Sequence, residues 1–152
     1  MGNRAVIAFT DEHGNQNKNS VGIYLHWNGG RDSVEGFLQT AKDYGIRSGS
    51  YGLARLTQII CNCFPGTLSV GVATLDKLDC DNYDNGVYWV DNNFDIVDRE
   101  YLPKRATWSE QQQYPLAEFV KDVKGDNDFV FNKDPYKNLH KQSKTERNKW
   151  HN

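Results

Sequence analysis

Three features of the sequence predict an α+β domain of two layers, with a mostly antiparallel sheet of about five strands and two to three helices. Short runs rich in β-branched and aromatic residues recur at 4–9, 21–27, 68–75, 87–90 and 94–97. Two stretches with apolar residues at helical spacing lie between the second and third of these runs. The first two runs, and the last two, are joined by polar connectors too short for a parallel crossover, so each pair is expected to be antiparallel.

The first run, Ala5-Val6-Ile7-Ala8-Phe9, is followed by a polar loop over residues 11–20 that contains Gly14. In the second run Ile23, Leu25 and Trp27 alternate with Tyr24 and His26. The apolar triad is expected to face the core, with Trp27 as a core plug or lid. Over residues 32–44, Val34, Phe37, Leu38 and Ala41 form one helical face, and Asp32 with Glu35 resembles a capping box. A second helix is expected over residues 51–63, with Leu53, Leu56, Ile60 and Cys63 buried and Pro65-Gly66 as its stop. After the third strand comes an acidic loop, residues 76–86. A hairpin through Asp91-Asn92-Asn93 then joins the last two strands. Residues 115–124 read as a short third helix, and Phe129-Val130-Phe131 as an edge strand.

A chain of 152 residues is long enough to bury a core without covalent staples. One domain is expected over residues 1–132. Residues 133–152 carry six bases against two acids and read as a basic, flexible tail. Residues 76–100 carry eight acids against two bases, so the body is acidic. Three cysteines and an N-terminus without an apolar run lead to the expectation of free thiols in the cytoplasm, with no membrane association.

The segment with most chemical content is His26-Trp27-Asn28-Gly29-Gly30-Arg31. A strand that breaks into glycines and restarts as a helix presents unpaired N–H groups at the positive end of a helix dipole. His26 adds an acid or base, and Arg31 adds a planar donor fork for phosphate or carboxylate. His26, Asn28, Gly29, Gly30 and Arg31 are therefore the candidate anion or ligand site. The segment lacks the frame of a P-loop or dinucleotide fingerprint, and Asp32 and Glu35 place negative charge in the same turn. A plain strand-to-helix hinge needs the same glycines.

Other chemistries find less support. Cys61, Cys63 and Cys80 do not have the number or spacing of a structural zinc site. A calcium loop starting at Asp81 fails at Tyr83 and Asn92. No metal, cofactor or catalytic residue is expected, with His26 as the alternative acid–base group. The acidic hairpin offers a surface for a basic protein partner through Tyr88, Trp89, Asp91, Phe94, Asp95 and Asp98. The tail, with Tyr136, His140 and Trp150 among its bases, offers a second alternative, nucleic-acid binding.

The opening Gly2-Asn3-Arg4-Ala5-Val6-Ile7 and the segment Tyr24-Leu25-His26-Trp27-Asn28-Gly29-Gly30-Arg31-Asp32-Ser33-Val34 resemble small uncharacterised proteins of bacterial phages and mobile elements. The hairpin entry Asp84-Asn85-Gly86-Val87-Tyr88 is similar in style, and the likeness covers about the first two-thirds of the chain. It implies a phage-like setting in a bacterial cell and assigns no catalytic residue. The expectation is a non-enzymatic accessory or host-interaction protein that binds a host or phage protein. The alternative is a domain or enzyme acting on a nucleotide or phosphate ester at the Gly29-Gly30 loop.

Overall fold

The computed structural model describes residues 2–104, 110 and 114–131. The element order is β1 (Ala5–Phe9), β2 (Val21–Leu25), α1 (Arg31–Asp43), α2 (Gly49–Asn62), β3 (Val70–Thr74), β4 (Val87–Val90), β5 (Ile96–Glu100) and α3 (Leu116–Phe131). A single turn of 3-10 helix, Leu75–Lys77, follows β3. The fold is α+β, with one open five-stranded sheet in the order β3-β2-β1-β4-β5. Every neighbouring pair is antiparallel except β1 with β4. The basic stretch from residue 133 and Trp108 lie outside the described residues.

Strand alternation divides the sheet into two faces. Ala5, Ile7, Ile23, Leu25, Tyr88 and Val90 point into the larger core, beneath Val34, Phe37, Leu38, Leu56, Ile59 and Ile60 of the helices. Val6, Ala8, Val87 and Trp89 point the other way, where Leu75, Leu78 and Cys80 cover them. The helices therefore occupy one face, and the loop after β3 folds over the other. The loop after β1 reaches across that second side to β5. Gln16 donates to Asp98 at 2.6 Å and Lys18 pairs with Glu100 at 2.9 Å.

Two sequence expectations change here. The last helix runs through Phe131, so Phe129-Val130-Phe131 is helical and not an edge strand. Asn127 explains the continuation. It is fully buried, and its amide donates to the Val123 and Ile59 carbonyls while accepting from Asn62. A polar residue thus occupies a core position between Val123 and Phe131, and the ring of Phe131 stacks on Tyr44 at 4.8 Å. Asp32 is also not the N-cap of α1. The cap is Gly30, and the helix already includes Arg31. Among the described residues, no helix is long and apolar enough to cross a membrane.

Candidate functional site

The glycine loop is packed from several sides. Asn28 takes a left-handed backbone conformation at φ 57. Gly29 then passes against the chain entering β1, where its N–H donates to the Asn3 carbonyl at 2.8 Å. Its own carbonyl accepts from the Tyr88 hydroxyl at 2.6 Å. A methyl group on Gly29 would lie 2.5 Å from the Asn3 carbonyl oxygen and 2.7 Å from the Ala5 Cβ. Close approach of two backbones requires this glycine.

The charged groups around the loop already have partners. Asp32 accepts from the Ser33 N–H at 2.8 Å, placing a carboxylate at the helix start. Arg31 donates to Glu35 at 2.8 Å, one helical turn on, and to Glu110 at 3.1 Å. The other oxygen of Glu110 pairs with Arg99. The Arg99 guanidinium carbon lies over the Tyr88 ring, 3.6 Å from its centroid, and Arg99 also donates to the Asn85 carbonyl. Burial lowers the Arg99 pKa and raises that of the Tyr88 hydroxyl. The result is a carboxylate held between two guanidiniums, stacked on a tyrosine that hydrogen-bonds the glycine loop.

His26 belongs to different surroundings. Its Nδ1 shares a 2.9 Å hydrogen bond with the Tyr24 hydroxyl, and its ring meets Trp27 edge-on at 5.0 Å. Tyr24 packs with the cluster on the sheet face away from the helices. Arg31 instead lines a groove of about 390 Å³ between α1 and the β4–β5 hairpin, together with Glu35, Lys42, Phe94 and Asp95. His26 is not among the residues lining that groove. The groove's charges are paired as Arg31 with Glu35 and Lys42 with Asp95. Trp27 is 44% exposed and is no core plug, because β2 ends at Leu25 and the chain turns away.

The acidic hairpin needs a larger correction. Tyr88, Trp89 and Phe94 are buried, so they cannot be the exposed aromatic part of a docking face. Tyr88 and Phe94 lie in the helix-side core, and Trp89 lies in the opposite cluster with its indole N–H donating to Glu100. A strand buried on both faces has no solvent side, and all of β4 is of this kind. Asp91 shapes the turn by accepting from the Asn93 and Asp95 N–H groups, each at 2.9 Å. Asp98 is held below the usual carboxylate range, first by the hydrogen bond from Gln16. In the acidic loop the Asn82 side-chain oxygen accepts from the N–H groups of Asp84, Asn85 and Gly86.

The thiols are disfavoured as thiolates in these positions. Burial pushes Cys63 up to about 12, and it also raises Cys61 and Cys80. Among the described residues, no three His, Cys, Asp or Glu side chains are grouped to hold a metal.

Two features escaped sequence reasoning. The Arg31–Glu110–Arg99 network joins residues far apart in the chain and leaves no local pattern. The second is an apolar row at the β3 edge of the sheet. Val21, Leu68 and Val72 are all exposed, and Leu68 is fully so. Register places Val72 beside Ile23 and Val70 beside Leu25. The alternation of Leu68, Val70 and Val72, in a run without charge, was its signal. Comparisons with protein-family models, with curated proteins and with solved structures give no match for this chain.

Proposed function

We propose that this chain is a non-enzymatic accessory or host-interaction protein of a phage-like element, acting through contacts with a host or phage protein, and that its contact surface is the β3 side of the sheet. The exposed Leu68 and Val72 of the edge run, with Val21 on the neighbouring strand, are the observation that carries this reading. Exposed apolar side chains grouped along one sheet edge are costly in water and favour burial against another protein. Among the described residues nothing pairs with the outer main-chain groups of β3, which could therefore take an added strand. By contrast, the rings of the acidic hairpin are already committed to the core, and the glycine loop's charges are already neutralised by neighbours.

Photo-crosslinking in bacterial cells tests the assignment. A benzophenone amino acid is placed at Val72 in one protein and at Asp91, in the hairpin turn, in another. Covalent protein adducts from position 72 and few from position 91 are expected. Adducts from position 91 alone would move the surface back to the hairpin, and none from either would end the protein-contact reading.

A further inference from the structure

The two open edges of the sheet are chemically unlike. β5 carries the carboxylates of Asp98 and Glu100, charges that oppose strand addition at that edge. β3, Val-Gly-Val-Ala-Thr, has no charged residue or proline. Its free main-chain groups can be assigned from register. The His26 N–H donates to the Ser69 carbonyl, and the Leu75 N–H donates to the Ser20 carbonyl. In an antiparallel ladder the inward and outward residues alternate. Ser69, Gly71, Ala73 and Leu75 therefore face β2, while Val70, Val72 and Thr74 turn their N–H and C=O groups outward. No hydrogen bond to those outward groups occurs among the described residues.

We propose, resting on the reading above, that the occupant of this edge is a second copy of the chain, paired antiparallel through β3 about a twofold axis at Val72. That register sets Val72 opposite Val72 of the second copy and Val70 opposite its Thr74. All three outward residues then become hydrogen-bonded pairs, each pair exchanging two bonds. Their β-branched side chains meet on the helix side, where cross-strand contact is favourable. Gly71 and Ala73 meet on the other side, and a Cβ at Gly71 would touch nothing. Residues 68–74 carry no charge, so no like charges face each other along the paired strands. A β5 pairing centred on Asp98 would instead oppose two carboxylates. The β3 patch is self-complementary, as a twofold contact requires, and it joins two five-stranded sheets into one.

Cysteine trapping tests this geometry in the full-length chain. Residues of a hydrogen-bonded antiparallel pair have Cα atoms about 5.5 Å apart, within the range a disulfide spans. In a Cys61→Ser background, Val72→Cys is expected to form a disulfide-linked dimer on mild oxidation. Ala73→Cys, offset from itself across the axis, is expected to form at least about tenfold less. Sedimentation of the unmodified chain should show a species of twice the 17.4 kDa chain mass as concentration rises. Val72→Lys, at a half-exposed position that the fold tolerates, should weaken that association at least tenfold. A wild-type monomer throughout the concentration series, or equal trapping at positions 72 and 73, overturns self-pairing. If the position-72 photoadducts then contain only other proteins, the contact surface stands and only its occupant changes. If there are no adducts either, both readings fall. Protection of the Val72 amide from exchange that does not depend on concentration would assign the edge to another segment of the same chain and overturn the proposal.

Discussion

Replacing Gly29 with alanine separates a structural glycine loop from a ligand loop. The added methyl would lie 2.5 Å from the Asn3 carbonyl oxygen, 2.7 Å from the Ala5 Cβ and 2.9 Å from the Arg4 carbonyl carbon. Two of these neighbours are backbone, and Ala5 is fully buried in the central strand, so none can swing aside. Overpacking of this kind costs about 1–3 kcal/mol. Retreat of the loop would also weaken the Gly29 N–H bond to Asn3 and the Tyr88 bond to the Gly29 carbonyl. Each is worth about 1 kcal/mol. A total near 3 kcal/mol follows, a large part of the roughly 5–15 kcal/mol that holds a domain together. For a chain of this size the melting temperature should fall by about 6–12 °C. Gly30→Ala is the control. Its methyl would meet only side-chain atoms, Asp32 at 3.0 Å and the Asn3 amide at 3.5 Å, and its φ of −65 suits alanine. The N-cap change should cost about 1 kcal/mol or less. Urea titration should show a lower midpoint for Gly29→Ala at unchanged slope. Equal midpoints for the two variants, or a Gly29→Ala loss below about 0.5 kcal/mol, would refute the packing argument.

Three further outcomes test other parts of the structure. Asn127→Ala strands the Asn62 amide under α3 and should cost about 2–3 kcal/mol in denaturant; in the double variant with Asn62→Ala the cost should be less than the sum. Lys124, first, and then Gln39 hold the Asp43 carboxyl below its usual range. Its stabilisation is therefore complete above the ordinary aspartate pKa of about 3.9 and disappears as pH falls through the lower folded value. Lys124→Met should flatten the acid limb of the stability profile below about pH 4, at a neutral-pH cost within about 1 kcal/mol for so exposed a pair; an unchanged limb would remove the pair from the acid response. Cys61 is exposed, whereas the Cys63 thiol is pushed up to about 12, so a thiol reagent at pH 8 should label Cys61 first and Cys63 only as urea unfolds the chain. Mass mapping of the labelled peptides reads this directly.

Periodicity made α1, α2 and β4 legible almost to their ends, because each carries an apolar pattern that tertiary contacts reinforce. The hairpin's pairing was legible for the same reason. Its burial was not, since Tyr88 and Trp89 read equally well as an exposed aromatic surface until helices cover one face and the loop after β3 the other. Trp27 shows the converse error. Alternation extended β2 two residues too far and carried the indole inward. Asn127 hid the second half of α3, because a buried amide interrupts an apolar stripe unless its hydrogen-bond partners are known. In the candidate site, the loop conformation was local and readable. The fate of Arg31 was not, because Glu110 and Arg99 reach it from distant parts of the chain.

The parallel pairing of β1 with β4 has a consequence for how the chain comes to be folded. β1 is synthesised first yet stands at the centre of the sheet. It meets β2 soon after leaving the ribosome, but its other side waits for residues 84–90. The Arg4 bond to Asp84 spans 80 positions, and Asn3 to Asn85 spans 82. During that interval Val6 and Ala8 carry open main-chain groups on the most apolar strand of the protein. Long-range pairing of this kind slows folding, and a half-made chain with an exposed central strand is prone to associate wrongly. The nascent polypeptide, more than the finished one, is the form for which a chaperone has work to do.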